Sequence, residues 1–274
     1  MERLNLDLSS TDRLKSLKTN WSNCSAPEID ACFESNTREF RSGLILGKFK
    51  EGTDGKETTE YKNFKGNLET YGNPDKEPTW RLYLTLGVDK VDQGDFVNIF
   101  FELVNVTKDG TNKESEAIMA CYGISKVLND SYEYGAPELI PNEGKAGMGV
   151  SNDLVRLLSN NWLRVPPAAR SILFYSTQTE KGPENLDKRY VVRTKRYFIN
   201  KEHAKIMHDF IKPDSEFRIL FGANPADFLM DEDIFTPIIE INNSESAERD
   251  HTRKQVEYLE FVQACPPFCG GGDG

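Results

Sequence analysis

Residues 80–86, Trp-Arg-Leu-Tyr-Leu-Thr-Leu, are the stretch that decides the fold. Large apolar side chains occupy every second position, and Arg81, Tyr83 and Thr85 lie between them. Because successive side chains of a strand point to opposite faces of a sheet, this alternation predicts a half-buried β-strand. The next run, 96–106, is apolar on both faces and predicts a central strand.

Shorter strand patterns surround this pair. Alternating or apolar runs of strand length occur at 4–8, 40–49, 170–177, 188–199, 216–222 and 235–241. The stretches 116–127 and 246–264 fit a helix or a strand equally well, and Asp109-Gly110 is a hairpin turn signal. Many strands with few short helices favour an α+β fold, β-rich and mainly antiparallel, over a doubly wound sheet.

The N-terminal part predicts a helical hairpin over residues 9–35. Ser9 can cap a first helix whose apolar side carries Leu14, Leu17 and Trp21. Residues 25–28, Ser-Ala-Pro-Glu, form a capping box that starts a second helix. The apolar stripe of that second helix is Ile29, Cys32 and Phe33.

Three more short helices are predicted further along. Ser151 can cap a helix that ends before Pro166 and carries Leu154, Leu157, Leu158 and Trp162. Asn200 can cap another that is ended by Pro213 and carries Met207, Phe210 and Ile211. A third, starting at Pro225, is expected between the last two strands.

The domain organisation follows from glycine and proline. Residues 135–149 contain six of these residues and are the best candidate for an internal boundary. Neither side of this loop holds a complete set of strands, so we expect residues 1–264 to form a single globular domain. Residues 265–274, Cys-Pro-Pro-Phe-Cys-Gly-Gly-Gly-Asp-Gly, predict a flexible tail.

Composition limits the possible partners and the compartment. The chain has 34 basic and 44 acidic residues, a net charge of −10, which argues against a general nucleic-acid binder. No apolar run reaches the roughly 18 residues of a membrane span, and the N-terminus lacks the apolar block of a secretory signal. Five cysteines, an odd number, fit reduced thiols. We therefore expect a soluble cytoplasmic protein, although removal of a leader would leave the same pattern.

Two glycine-containing segments resemble phosphate loops without completing the motif. Residues 43–48 are one residue short of a Walker loop, and Phe49 stands where a Ser or Thr would bind Mg²⁺. Residues 147–149 precede a helix, but Asn152 replaces the third glycine of a dinucleotide loop. The sequence therefore predicts a strand and a loop at these places, and no cofactor.

The enzymatic hypothesis depends on two of the three histidines in the chain. His203 and His208 are five residues apart, which places them roughly 140° apart around a helix rather than on one face. The remaining interpretation is a hydrolase that uses His203 or His208 with a carboxylate from Asp227 or Asp231.

A metal interpretation depends on the same acidic stretch. Asp231 and Asp233 could bind a hard cation if their loop curled around it, but the spacing of a calcium loop is absent. A solvated acidic turn is the favoured interpretation, and no metal site is predicted.

Two segments are candidates for binding a partner. Residues 188–199 interleave basic and aromatic side chains, and alternation puts Arg193 and Lys195 on a solvated basic face that could pair with the acidic stretch 226–260. The tail offers Cys265, Phe268 and Cys269 around a stiff Pro-Pro pair. Because no complete catalytic set is found, the sequence favours a non-enzymatic binding or assembly protein that acts through protein–protein contacts, or alternatively the hydrolase.

Overall fold

The computed structural model describes part of the chain, and every structural statement below concerns that part. The described residues are 11–34, 41–48, 58–72, 80–91, 94–105, 126–129, 152–181, 187–213, 215–225, 233–243, 255–260 and 264–265. Predictions for 4–8, for Asp109-Gly110 and for 135–149 lie outside the described residues.

The described part of the chain contains both helices and strands. The helices are α1 (Thr11–Asn23), α2 (Ala26–Glu34), α3 (Thr59–Gly72), α4 (Asn152–Arg164), a 3-10 helix (Pro167–Phe174) and α5 (Lys201–Phe210). The strands are β1 (Arg41–Lys48), β2 (Trp80–Val91), β3 (Gly94–Asn105), β4 (Lys126–Asn129), β5 (Tyr175–Lys181), β6 (Asp187–Arg193), β7 (Arg196–Ile199), β8 (Glu216–Pro225), β9 (Asp233–Asn243), β10 (Gln255–Glu260) and β11 (Ala264–Cys265).

The strands form two sheets and one separate hairpin. The first sheet has the order β10-β9-β8-β1-β4, and the second has the order β11-β7-β2-β3. Strands β5 and β6 pair with each other as a two-stranded ribbon, the β5–β6 hairpin. Every described strand pair is antiparallel, so the predicted α+β, mainly antiparallel fold with an N-terminal helix pair is confirmed.

The two sheets share one apolar core. Alternate residues of β8 (Phe217, Ile219, Phe221) and of β2 (Leu82, Leu84, Leu86) belong to the same buried cluster. The rings of Phe101 and Phe217 lie 6.2 Å apart, and the Tyr197 hydroxyl donates to the Phe235 carbonyl at 2.9 Å. Burying each such side chain stabilises the fold by roughly 1.5–3 kcal/mol. The cluster includes residues from both sides of 135–149. The single-domain prediction itself stays a prediction.

Helix α1 covers the outer face of the second sheet. It packs at Gly87, where an added Cβ would lie 2.9 Å from the Leu17 Cβ. The prediction that one face of β2 is exposed is therefore wrong, because Tyr83 and Thr85 are both buried. Strand β3 is buried on both faces as expected, and β2 is its partner among the described strands, so its predicted central position stays a prediction.

Helix α4 covers the outer face of the first sheet. A Cβ at Gly222 would lie 3.0 Å from the Leu158 Cβ, so the glycine permits a close approach. The helix ends at Arg164 before Pro166, as predicted. Leu157, predicted to be on the apolar side, is 55% exposed. The buried row runs instead through Val155, Leu158, Ser159 and Trp162.

Two strand predictions in the second half are wrong in part. Residues 170–174 belong to the 3-10 helix, which begins at Pro167, and the strand starts only at Tyr175. The predicted strand 188–199 is split into β6 and β7 at Thr194 and Lys195. It splits because the Thr194 N–H donates to the Phe174 carbonyl at 2.7 Å, while the Lys195 carbonyl accepts from Leu86 N–H at 3.0 Å. The backbone groups of Thr194 and Lys195 therefore hydrogen-bond to two different elements.

Helix α3 was not predicted from the sequence. Its buried side chains recur at helical spacing and are Tyr61, Phe64, Leu68 and Tyr71. Thr58 caps it, since the Thr58 hydroxyl accepts from the Tyr61 N–H at 3.3 Å. The signal was therefore present as a capped stripe with period 3.6.

The predicted caps of α2 and α5 are confirmed. Glu28 accepts from the Ser25 N–H at 2.6 Å, and Ser25 accepts from the Glu28 N–H at 3.4 Å. Asn200 accepts from the His203 N–H at 2.8 Å. Pro225, expected to start a helix, is the last residue of β8, and the residues after it lie outside the described chain. Among the described helices, none has the length and apolarity to cross a membrane.

Candidate functional site

The β5–β6 hairpin stands apart from the two sheets. Its register runs from Tyr175 opposite Arg193 to Lys181 opposite Asp187. Its two strands carry four basic residues against two acidic ones, in a chain whose net charge is −10. Val191 lies on it with 66% of its surface exposed. The hairpin is thus a basic ribbon with an exposed β-branched apolar side chain.

Arg193 fixes the base of the hairpin. Its Nη1 donates to the Trp21 carbonyl at 2.7 Å, and its Nε and Nη2 donate to the Tyr175 hydroxyl at 3.2 and 2.5 Å. The guanidinium also lies 5.1 Å from the centroid of the Tyr175 ring. Arg193 therefore joins both strands of the hairpin to the end of α1, which is more than the solvated role predicted for it.

Thr194 completes this anchor. Its carbonyl accepts from the Trp21 indole N–H at 2.9 Å, and its N–H donates to the Phe174 carbonyl at 2.7 Å. Trp21 and Thr194 are both buried, and Phe174 packs edge-on against Trp21 with ring centroids 5.0 Å apart. The residues at the open end of the hairpin are thus joined to a buried aromatic cluster.

Three of the predicted partner-binding residues converge at this base. Lys195 follows Thr194 directly and is partly exposed. The next residue, Arg196, lies opposite Cys265 in the pairing of β7 with β11, and its guanidinium lies 3.9 Å from the Tyr83 ring centroid. Arg193, Lys195 and Cys265 are therefore brought to one short stretch of backbone. Phe268 and Cys269 lie outside the described residues, so the flexible-tail prediction stays a prediction.

The sequence interpretation missed the exposed apolar residues near this site. Val191 shares a strand face with Arg193 by the alternation of β6, so its exposure followed from the same pattern that marked the basic face. Ile172, in the 3-10 helix that leads into β5, is 63% exposed. It was missed because this segment was interpreted as a strand.

The two histidines of the enzymatic hypothesis lie on α5. His203 is partly buried, and burial lowers its pKa below the usual value, while the nearby Glu202 acts in the opposite direction. The His208 Nδ1 lies 3.0 Å from the Oδ1 of the adjacent Asp209. Asp227 and Asp231 lie outside the described residues, so the structure does not place a carboxylate of that acidic stretch beside either histidine.

The acidic stretch gives no metal centre in the described part of the chain. Asp233 is the first residue of β9, opposite Pro225, and its side chain is not described. Asp231 lies outside the described residues. Within the described ranges, no group of three or more His, Cys, Asp or Glu side chains is placed to hold a metal ion.

Comparison with protein-family models, with curated proteins and with solved structures finds no match to this chain. Function is therefore inferred from the chemistry of the described residues.

Proposed function

We propose that this chain is a non-enzymatic binding or assembly protein that acts through protein–protein contacts, with the β5–β6 hairpin as its contact surface. The observation that carries the proposal is a basic two-stranded ribbon that belongs to neither sheet and exposes Val191. An isolated two-stranded hairpin is marginally stable in water, so a ribbon of this kind gains stability when a partner covers it.

The anchored base favours binding. The contacts of Arg193 and Thr194 with Trp21 hold the root of the hairpin in place before any partner arrives. Because less conformational freedom is lost on association, such preorganisation strengthens binding. In the described chain β5 and β6 pair only with each other, so either strand can accept a partner strand at its outer edge.

The charge of the hairpin indicates the chemistry of the partner. Its basic excess fits an acidic protein surface, and Val191 supplies an apolar contact on β6. A nucleic acid is disfavoured because the chain as a whole carries a net charge of −10. The buried thiols of Cys24 and Cys32 are not in disulfide bonds, which supports a reducing compartment and a cytoplasmic location.

Site-specific photocrosslinking tests this proposal. A photoreactive amino acid replaces Val191 in the full chain, and a matched variant carries it at Glu202, an exposed position on α5. We expect position 191 to crosslink to one defined protein region and position 202 to give no such product. Equal products from both positions, or none from position 191, would contradict the proposal. Crosslinks from position 191 to nucleic acid that disappear steeply with salt would assign the hairpin to a different partner class.

A second candidate, a hydrolase, is favoured by one observation, the 3.0 Å contact of His208 with Asp209. A carboxylate that holds an imidazole in one orientation supports general base catalysis. Hydrolysis of model esters and phosphate esters by the full chain is the test, with His208→Asn compared against Lys212→Met on the segment after α5. The hydrolase requires activity that is lost only in His208→Asn. Absence of activity in the unaltered chain removes it.

A further inference from the structure

The register of the β5–β6 hairpin determines which of its backbone groups face outward. The Thr194 N–H donates to the Phe174 carbonyl at 2.7 Å, and the next facing pair is formed by Tyr175 and Arg193. Facing pairs of an antiparallel ladder alternate between bonded and non-bonded, so the pair that contains Arg193 is of the non-bonded kind. Every second residue of β6, counted back from Arg193, therefore directs its N–H and C=O away from β5, and these residues are Val191, Arg189 and Asp187.

The two outer edges of the hairpin differ in charge and in their first backbone group. On β5 the first outward N–H, that of Tyr175, already donates to the Ile172 carbonyl of the 3-10 helix. Strand β5 contains one basic and one acidic residue, whereas β6 contains three basic residues and one acidic residue. Val191, with 66% of its surface exposed, also lies on β6. The excess of positive charge and the exposed apolar residue thus both belong to the β6 edge.

The stretch of the β6 edge that a partner can reach is 187–191. Beyond it, the Arg193 side chain donates to the Trp21 carbonyl and brings the end of α1 close to the strand. Within the described part of the chain, β5 is the strand that pairs with β6. Outward backbone groups of an edge strand can pair with an extended segment of another protein. Opposite charges on neighbouring strands stabilise such pairing and like charges destabilise it, so an acidic segment fits this edge better than a second copy of β6.

We propose that the outer edge of β6 binds an extended acidic segment of a partner protein, which adds to the hairpin as a third strand. The inference deepens the proposed function by naming the edge and the class of partner, and it rests on that function. The outward N–H and C=O groups of 187–191 bond to the backbone of the added strand. The acidic residues of the added strand lie beside the basic residues of β6. The third strand also stabilises a ribbon that is marginal as an isolated pair.

Hydrogen exchange of single amides, followed by NMR in the full chain, tests this geometry. The probe is a peptide of about ten residues in which Glu and Val alternate, and the same peptide with Lys in place of Glu is its control. With the acidic peptide we expect slower exchange at the outward amides of Arg189 and Val191. The outward amides of Thr177 and Thr179, which face them on β5, should be unchanged. Protection on β5 instead, equal protection by both peptides, or binding without protection at Arg189 and Val191 would overturn the proposal.

Proline variants test the contribution of the outward N–H groups to affinity. Val191→Pro removes such a donor, and proline is tolerated on an edge strand where the N–H faces solvent. Thr177→Pro is the matched control, because Thr177 faces Val191 and directs its N–H to the other edge. Fluorescence anisotropy with the labelled acidic peptide should show about a tenfold higher Kd for Val191→Pro and a change within about twofold for Thr177→Pro.

A third variant separates this inference from the proposed function. Val191→Ala shortens the side chain and keeps the N–H, so it should weaken binding of the acidic peptide less than Val191→Pro does. Equal weakening by the two variants would overturn strand addition and leave the hairpin as a contact surface. No binding of the acidic peptide, or binding of an oligothymidine in its place, would also overturn the inference. The proposed function fails separately, if position 191 gives no crosslink to a protein.

Discussion

The outer faces of the two sheets are covered by helices that use the same steric device. Helix α1 lies on Gly87 of β2, and α4 lies on Gly222 of β8. A Cβ at these positions would come within 2.9 Å of the Leu17 Cβ and 3.0 Å of the Leu158 Cβ, respectively. In both places the absence of a side chain lets a helix approach the strand closely.

The two faces differ in where their charges are balanced. On the α1 side the buried Glu102 accepts from Lys18 of the helix at 2.6 Å and from the Thr85 hydroxyl at 2.7 Å. On the α4 side the buried Glu240 contacts Arg218 of the neighbouring strand at 3.1 Å.

Among the described residues, ion pairs therefore link helix to sheet on the α1 side, where Arg13 also contacts Asp89 at 2.8 Å, and none is described between α4 and its sheet. The comparison teaches that close packing and uncharged hydrogen bonds, such as that from the Asn161 amide to the Ala223 carbonyl at 3.3 Å, can hold a helix on a sheet, and that α1 has added electrostatic links.

The largest expected effect is on the α4 side. Arg218→Met removes the guanidinium from Glu240, whose surface is only 1% exposed, and should cost about 3–5 kcal/mol in free energy of unfolding, because the remaining carboxylate is buried. Urea melts of the full chain measure this loss. The double variant Arg218→Met/Glu240→Gln should recover much of it. A double variant as unstable as the single one would show that the pairing of charges is not the cause.

Adding a side chain at either glycine should lower the free energy of unfolding by less than Arg218→Met does. Gly222→Ala and Gly87→Ala should each cost about 1–3 kcal/mol through overpacking. We expect the larger loss at Gly222, because its nearest neighbour is the Thr236 backbone oxygen at 2.9 Å, whereas at Gly87 it is the Leu17 Cβ of a helix that can shift. Gly66→Ala in α3 is the matched control, since nothing lies within 4 Å of its added Cβ. That control should be neutral or stabilising by up to about 1 kcal/mol. Equal losses at all three positions in chemical melts would remove the steric argument.

Loss of the Lys18–Glu102 ion pair should lower the free energy of unfolding by about 1 kcal/mol. Lys18→Met should have this effect because the Lys18 side chain is one-third exposed and water can partly replace its ammonium group near Glu102. The salt dependence of unfolding should be reduced in this variant. An unchanged salt dependence would mean that Lys18 does not supply the link.

The smallest expected effect concerns the pH dependence of stability. Burial lowers the pKa of His203 from its ordinary value of 6.5, so the unfolded chain binds more protons than the folded chain as pH falls below about 6.5. Stability should therefore decrease in that range, until the pH passes below the lowered pKa as well. Urea melts between pH 7.5 and about 5 measure the slope. His203→Gln should flatten it, and an unchanged slope would assign the effect to other groups.

Local signals in the sequence were sufficient for much of the secondary structure. The caps at Ser25 and Asn200 and the stripe of Ile29, Cys32 and Phe33 need only residues within one or two turns, and all are present as predicted. Helix α3 carried the same kind of signal and was overlooked. These features are predictable because helix ends and apolar periodicity are set by near neighbours.

Contacts between distant residues account for what was missed. The division of 188–199 into two strands depends on Phe174 and Leu86, and the burial of Thr85 depends on α1. At the candidate site the sequence identified Arg193 and Lys195 by residue type. It could not show that Arg193 bonds to Trp21, which lies 172 residues away. Strand alternation alone assigns a face, and tertiary packing decides whether that face meets solvent.

Hydrogen exchange of the β5–β6 amides tests the central claim most directly. In the isolated full chain, we expect the hairpin amides to exchange much faster than those of β2–β3 and β8–β9, because a two-stranded ribbon outside the sheets opens locally at low cost. On addition of the partner identified by crosslinking at position 191, the hairpin amides should become protected while those of β8–β9 stay unchanged. Protection of the hairpin in the isolated chain equal to that of β8–β9, with no change on binding, would contradict the account.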